Sequence, residues 1–185
     1  MSAPHGGRLI DRLVPEEERP RFEESAAELA AVPVSVEVRR DLECIAYGIF
    51  SPLEGPLLEE DYLSVIERGR LSNDLPWTLP IVLDVSEEAA SGFEEGDDVA
   101  VAQSGEPFAV LHVEEKYVLD RREHARRVFN TIDAGHPGVS KTLRMGAVLL
   151  GGDIDLFRET PGRFPRYRLK PKETRFLFKE RGWRT

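Results

Sequence analysis

"DDVAVAQSGEPFAVLHVEEKYV", Asp97–Val118, carries the clearest strand signal in the chain. "DDVAVAQ" predicts one strand and "EPFAVLHVEEKYV" a second, uninterrupted one, with "SGE" supplying a hairpin-like turn between them. Upstream, "LPIVLDV" predicts a further strand, joined to the first through the acidic turn around "EEGDD". Downstream, "GAVLLGGDIDLF" predicts two short strands broken at Gly151-Gly152.

Helices surround these strands. "EERPRFEESAAELAAV" places Phe22, Ala26, Leu29 and Ala30 on one face with Glu opposite, predicting an amphipathic helix that Pro33 ends. "VPVSVEVRR" alternates Val34, Val36 and Val38 with polar residues, the pattern of a half-buried strand. Short helices follow over "DLECIAYG", capped by Asp41 and closed by Gly48, and over "EEDYLSVIERGR". "DRREHARRVFN" reads as a helix capped by Asp120, and "PKETRFLFKERGW" as one with Pro171 in its first turn. Several strands with short helices at either end predict a mixed α/β fold, a mostly antiparallel sheet or small β-barrel.

Composition narrows the function classes. The 185 residues suit one domain with an appendage, and no apolar run is long enough to span a bilayer. Cys44 is the single cysteine, which excludes an internal disulfide and, with no secretory h-region, points to the cytoplasm. Net charge is −9, unevenly spread: Met1–Asp120 holds 9 basic and 27 acidic residues, Arg121–Thr185 16 basic and 7 acidic. Such a split marks either an interaction surface or two halves that neutralise each other.

Local motifs offer little chemistry. "GHPGVSKT", Gly135–Thr142, matches the phosphate-binding loop except that Ser140 replaces the second Gly, and Pro137 removes a backbone donor. His5, His112, His124 and His136 are scattered, with no zinc spacing, and "EEGDD" lacks the alternating ligands of a calcium loop. No catalytic, cofactor-binding or metal-ligating residue is expected in this chain.

Read in order, "PHGG" (Pro4–Gly7), "DLECIAYGIFSPLEG" (Asp41–Gly55), "DYLSVIERGRL" (Asp61–Leu71), "LPWTLPIVLDV", "VFNTIDAGHPGV" (Val128–Val139), "LLGGDIDL" and "PKETRFLFKERGW" resemble the homo-oligomeric ATP sulfurylases, or sulfate adenylyltransferases. The resemblance covers essentially the whole chain, with Pro56-Leu57 and Gly69 as departures. It implies the family's N-terminal domain, a PUA-like small β-barrel, over residues 1–168, and a C-terminal hinge helix over 169–185. The family's catalytic Gln-Thr-Arg-Asn-Pro-x-His-x-x-His stretch does not occur here; it belongs to a following nucleotide-binding domain. ATP and Mg are expected only of the complete enzyme.

The partner the resemblance implies is that catalytic domain, with homo-oligomer contacts besides; neither a membrane nor RNA is expected. Phe176, Phe178, Arg181 and Trp183 are the candidate interdomain residues. Phe176, Lys179 and Trp183 fall at i, i+3 and i+7, predicting a stripe packed on the domain while Phe178 and the basic residues meet the partner. The competing reading is a free-standing PUA-like RNA-binding or regulatory module. The basic segment Arg158–Arg184, with Phe164 and Tyr167 interleaved, carries RNA-type chemistry, and the strongly acidic remainder opposes it.

Overall fold

The computed structural model describes residues 2–183. Seven helices and seven strands alternate irregularly along them. In chain order they are α1 (Arg19–Ala26), β1 (Ala30–Pro33), α2 (Val36–Ala46), α3 (Glu59–Arg68), β2 (Leu83–Val85), α4 (Glu87–Ala90), β3 (Asp98–Gln103) and β4 (Glu106–His112). Then come β5 (Glu115–Val118), α5 (Arg121–Phe129), α6 (Pro137–Thr142), β6 (Val148–Gly151), β7 (Ile154–Leu156) and α7 (Pro171–Glu180), with a 3-10 turn at Pro165–Tyr167.

The chain divides into two compact units that share its length. One comprises residues 1–55, 99–111 and 153–185, the other 56–98 and 112–152. The first is built on a four-stranded sheet of order β1-β3-β4-β7, the second on a three-stranded sheet of order β2-β6-β5. The mixed α/β class is as expected; the barrel is not. Among the described residues the strands form two sheets and no closed barrel.

In the first unit β3 is an interior strand, and Val99, Ala100, Val101 and Ala102 are all buried, on both faces of the sheet. Val14, Ala26, Ala100, Val110 and Phe157 pack into one cluster, with Phe22 and Leu29 against it. β4 and β7 pair antiparallel, Val110 opposite Asp155. In the second unit Leu83, Leu149 and Leu150 are fully buried where β6 pairs with β2 and β5. Burying each such side chain contributes about 1.5–3 kcal/mol, so these short sheets hold through their apolar faces rather than through length.

Three expectations need correction. The first helix ends at Ala26, because Ala30–Pro33 pairs in parallel with Val99–Ala102 as β1; tertiary pairing overrides helical periodicity there. The strand expected across Val34–Val38 is instead the start of α2. Ser35 caps that helix, its hydroxyl accepting from the Val38 amide at 3.2 Å. Asp41 therefore lies inside α2 rather than at its cap. The single strand expected over Glu106–Val118 is two, β4 and β5, which belong to different sheets. The chain changes course at Val113-Glu114, where Val113 N–H donates to Asp97 O and Glu114 N–H to Gly151 O. No Gly or Pro marks that bend. No described helix is long and apolar enough to cross a membrane.

Candidate interdomain surface

The candidate residues lie on α7 and the turn after it. Pro171 takes the first helical position, where a missing N–H costs nothing, and the Glu173 carboxylate accepts from the Lys170 amide at 2.7 Å. The helix ends in a Schellman turn. Gly182 N–H donates to Lys179 O at 3.0 Å and Trp183 N–H to Phe178 O at 2.9 Å. Gly182 sits at φ +67°, the left-handed conformation this turn requires of its first residue past the cap.

That turn changes which aromatics meet. Trp183 is no longer on the helix, so the stripe of Phe176, Lys179 and Trp183 does not form. The chain folds back and sets Trp183 against Phe178, ring centroids 5.4 Å apart and planes at 44°. The Arg181 guanidinium lies 5.2 Å from the Trp183 ring centre. Phe178, Arg181 and Trp183 are thus brought together, while Phe176 stands apart at 61% exposure.

No residue of α7 is buried. Phe178 and Trp183, with Pro4, Leu9, Ile49 and Arg175, line a cavity of about 340 Å³ in the first unit. α7 is tied down by polar bonds: Lys172 Nζ to Asp11 at 2.8 Å, and the Arg175 guanidinium to Ser2 O at 2.6 Å. Asp11 raises the Lys172 ammonium above its ordinary range. Arg175, Lys179 and Arg181 have no carboxylate partner among the described residues.

The root of α7 is anchored more deeply, by residues the sequence did not single out. Glu43, almost fully buried, accepts from the Thr160 amide at 2.7 Å and pairs with Arg39 and Arg168, each at 3.4 Å. Arg39 also donates to Arg158 O and lies over the Phe108 ring. Lys170 Nζ bonds Glu159 at 2.7 Å and stands over Tyr47. Burial alone would raise the Glu159 carboxyl, but bonding and charge from Lys170, then the Arg19 charge, hold it below its ordinary value. Burial, then the Glu43 and Glu159 charges, push the Tyr47 phenol well up. The i, i+4 spacing of Arg39 and Glu43 was a visible signal; their distant partners were not.

Gly135–Thr142 is largely helical. α6 occupies most of the motif, Thr142 is buried within the second unit, and a Cβ at Gly138 would lie 2.6 Å from the Phe129 ring. That glycine leaves room for the Phe129 ring. His124 is buried beside Tyr62, sharing a hydrogen bond at 3.0 Å through Nδ1, and desolvation lowers its pKa. His112 bonds Asp98 at 2.6 Å on the surface. Among the described residues no group of three or more His, Cys, Asp or Glu could hold a metal ion.

A family model described as a PUA-like domain matches residues 2–159. The chain belongs to the PUA-like domain family. The sulfate adenylyltransferase of Hyperthermus butylicus is 53% identical over 185 residues, covering all of this PUA-like chain and 48% of that protein. The sulfate adenylyltransferases of Thermococcus onnurineus and Symbiobacterium thermophilum are 48% and 42% identical, again over nearly the whole chain and 48% and 47% of theirs. The chain spans about half the length of the curated relatives it matches. Among solved structures, the hexameric APS kinase from Thiobacillus denitrificans superposes with a TM-score of 0.72 at 23% identity, over all of this chain and 32% of that one, a likeness of fold.

Proposed function

We propose that this chain is the non-catalytic N-terminal PUA-like domain of a sulfate adenylyltransferase, the enzyme that makes adenosine 5′-phosphosulfate and pyrophosphate from ATP and sulfate. The observation that carries the reading is the unbroken match, end to end, to proteins of that name about twice as long. Its role is to support the catalytic domain, and the surface that meets it is α7 with Phe176, Phe178, Arg181 and Trp183. Homo-oligomer contacts would be additional.

ATP, sulfate and Mg would be held by the other half of the enzyme. Transition-state charge in this chemistry needs several preorganised donors in a dry cleft. In the one phosphate-loop-like stretch here, Gly138 packs closely against the Phe129 ring. Purified alone, the chain is expected to show no sulfate-dependent ATP–pyrophosphate exchange; exchange above background would overturn the non-catalytic assignment. RNA binding is tested in parallel by Trp fluorescence titration with single- and double-stranded RNA. Tight binding that salt and Lys/Arg→Ala changes between Arg166 and Arg181 abolish would replace the interdomain reading with an RNA groove.

A further inference from the structure

We propose that α7 is an ion-latched arm, held over its cavity by the Lys172–Asp11 pair and the Arg175–Ser2 bond, which opens when those contacts are screened. The inference concerns regulation of the surface assigned above, but it depends only on contacts within this chain.

The base and the tip of the arm differ in kind. Its root is fastened by Glu43 and Glu159, both partly or wholly withdrawn from water. Its tip is locked internally by the Schellman turn and the Phe178–Trp183 pair. Between them no residue of the helix is fully buried, and its half-buried face lines the cavity. What draws it down is a bond between side chains 75% and 39% exposed, joined by a guanidinium-to-carbonyl bond. Exposed ion pairs weaken with salt, while apolar packing does not. Two of the cavity's hydroxyls make bonds that do not cross between arm and body: Ser51 bonds the Ile10 amide and the Gly48 carbonyl, and Thr174 bonds the Pro171 carbonyl within the helix itself. Release would uncover the half-buried Pro4 and Leu9 and carry the Phe178–Trp183 pair away as one piece, so the latch sets whether that pair is presented against the body or free of it.

Hydrogen exchange reads the latch directly, because a ten-residue helix without tertiary support is marginal in water and loses amide protection once undocked. On the full 185-residue chain at fixed pH, raising salt from about 0.05 M to about 1 M should speed exchange of α7 amides by about tenfold, leaving α2 amides unchanged. Lys172→Asp should give the fast rate at low salt. An acidic residue in the first turn favours the helix itself, so faster exchange in that variant reports lost docking rather than a weakened helix. Lys172→Asp with Asp11→Lys should restore slow exchange. α7 protection that ignores salt, or a swapped pair that fails to restore it while α2 stays protected, overturns the latch. Either outcome leaves the exchange assay for catalytic function unaffected.

Discussion

At the scale of single residues, the chain's stability depends on a buried charge network that joins distant segments. Glu43 and Thr160 are 117 residues apart, and Glu43 and Arg168 are 125 apart. Removing one partner leaves the other buried without compensation. Glu43→Ala should therefore cost about 3 kcal/mol in denaturant unfolding, whereas Arg39→Met with Glu43→Leu should cost clearly less. A single change within about 0.5 kcal/mol of the parent would show that the pair is solvated. His124 supplies the pH dependence. Its folded pKa lies below the ordinary 6.5, so the unfolded chain binds more protons just below that value. Stability should decline as pH falls through about 6.5 and keep declining until the buried imidazole itself protonates. In His124→Gln that decline should disappear; a decline of the same slope in both proteins would remove His124 as its source. The Asp120 cap was legible as a residue pattern, since its partners are two and three residues away. The Glu43 network was not, because nothing local announces a partner more than a hundred residues on.

At the scale of elements, the errors share one cause. Helix and strand periodicities were read correctly where one element filled its stretch, as in α3 and α5, and in α7 as far as Glu180 but not to Trp183. They failed where two elements abut. Val34, Val36 and Val38 alternate across the end of β1 and the start of α2, and Ser35, not Pro33, marks the boundary. Ser35→Ala should cost about 1 kcal/mol, measured by thermal unfolding; no change would mean the cap is redundant. The bend between β4 and β5 left no trace at all, whereas the Gly151-Gly152 break between β6 and β7 was plain. At the end of α7, the aromatic partner of Trp183 depends on Gly182 adopting its left-handed conformation. Gly182→Val should abolish NOEs between the Phe178 and Trp183 rings while leaving the global unfolding midpoint nearly unchanged, since no residue of α7 is fully buried. NOEs that persist in the variant would refute the turn.

For the whole molecule, the mixed α/β class and the family were legible because the ordered motifs run from Pro4 to Trp183; the family model matches residues 2–159 and the relatives match along the whole chain. The division into two interleaved units was not legible. Each unit is assembled from separated segments, a property of long-range pairing that no window of sequence contains. The candidate surface was half legible. Its residues were named, but the pairing of Phe178 with Trp183 follows from a turn, not from helical spacing. The most direct test is a binding titration, by sedimentation velocity, between this chain and the half of the Hyperthermus butylicus protein that it does not match. The account predicts a stable complex, weakened by about tenfold or more in Phe178→Ala with Trp183→Ala, as expected of a central aromatic anchor. No complex, or one of equal affinity with the double variant, would contradict it.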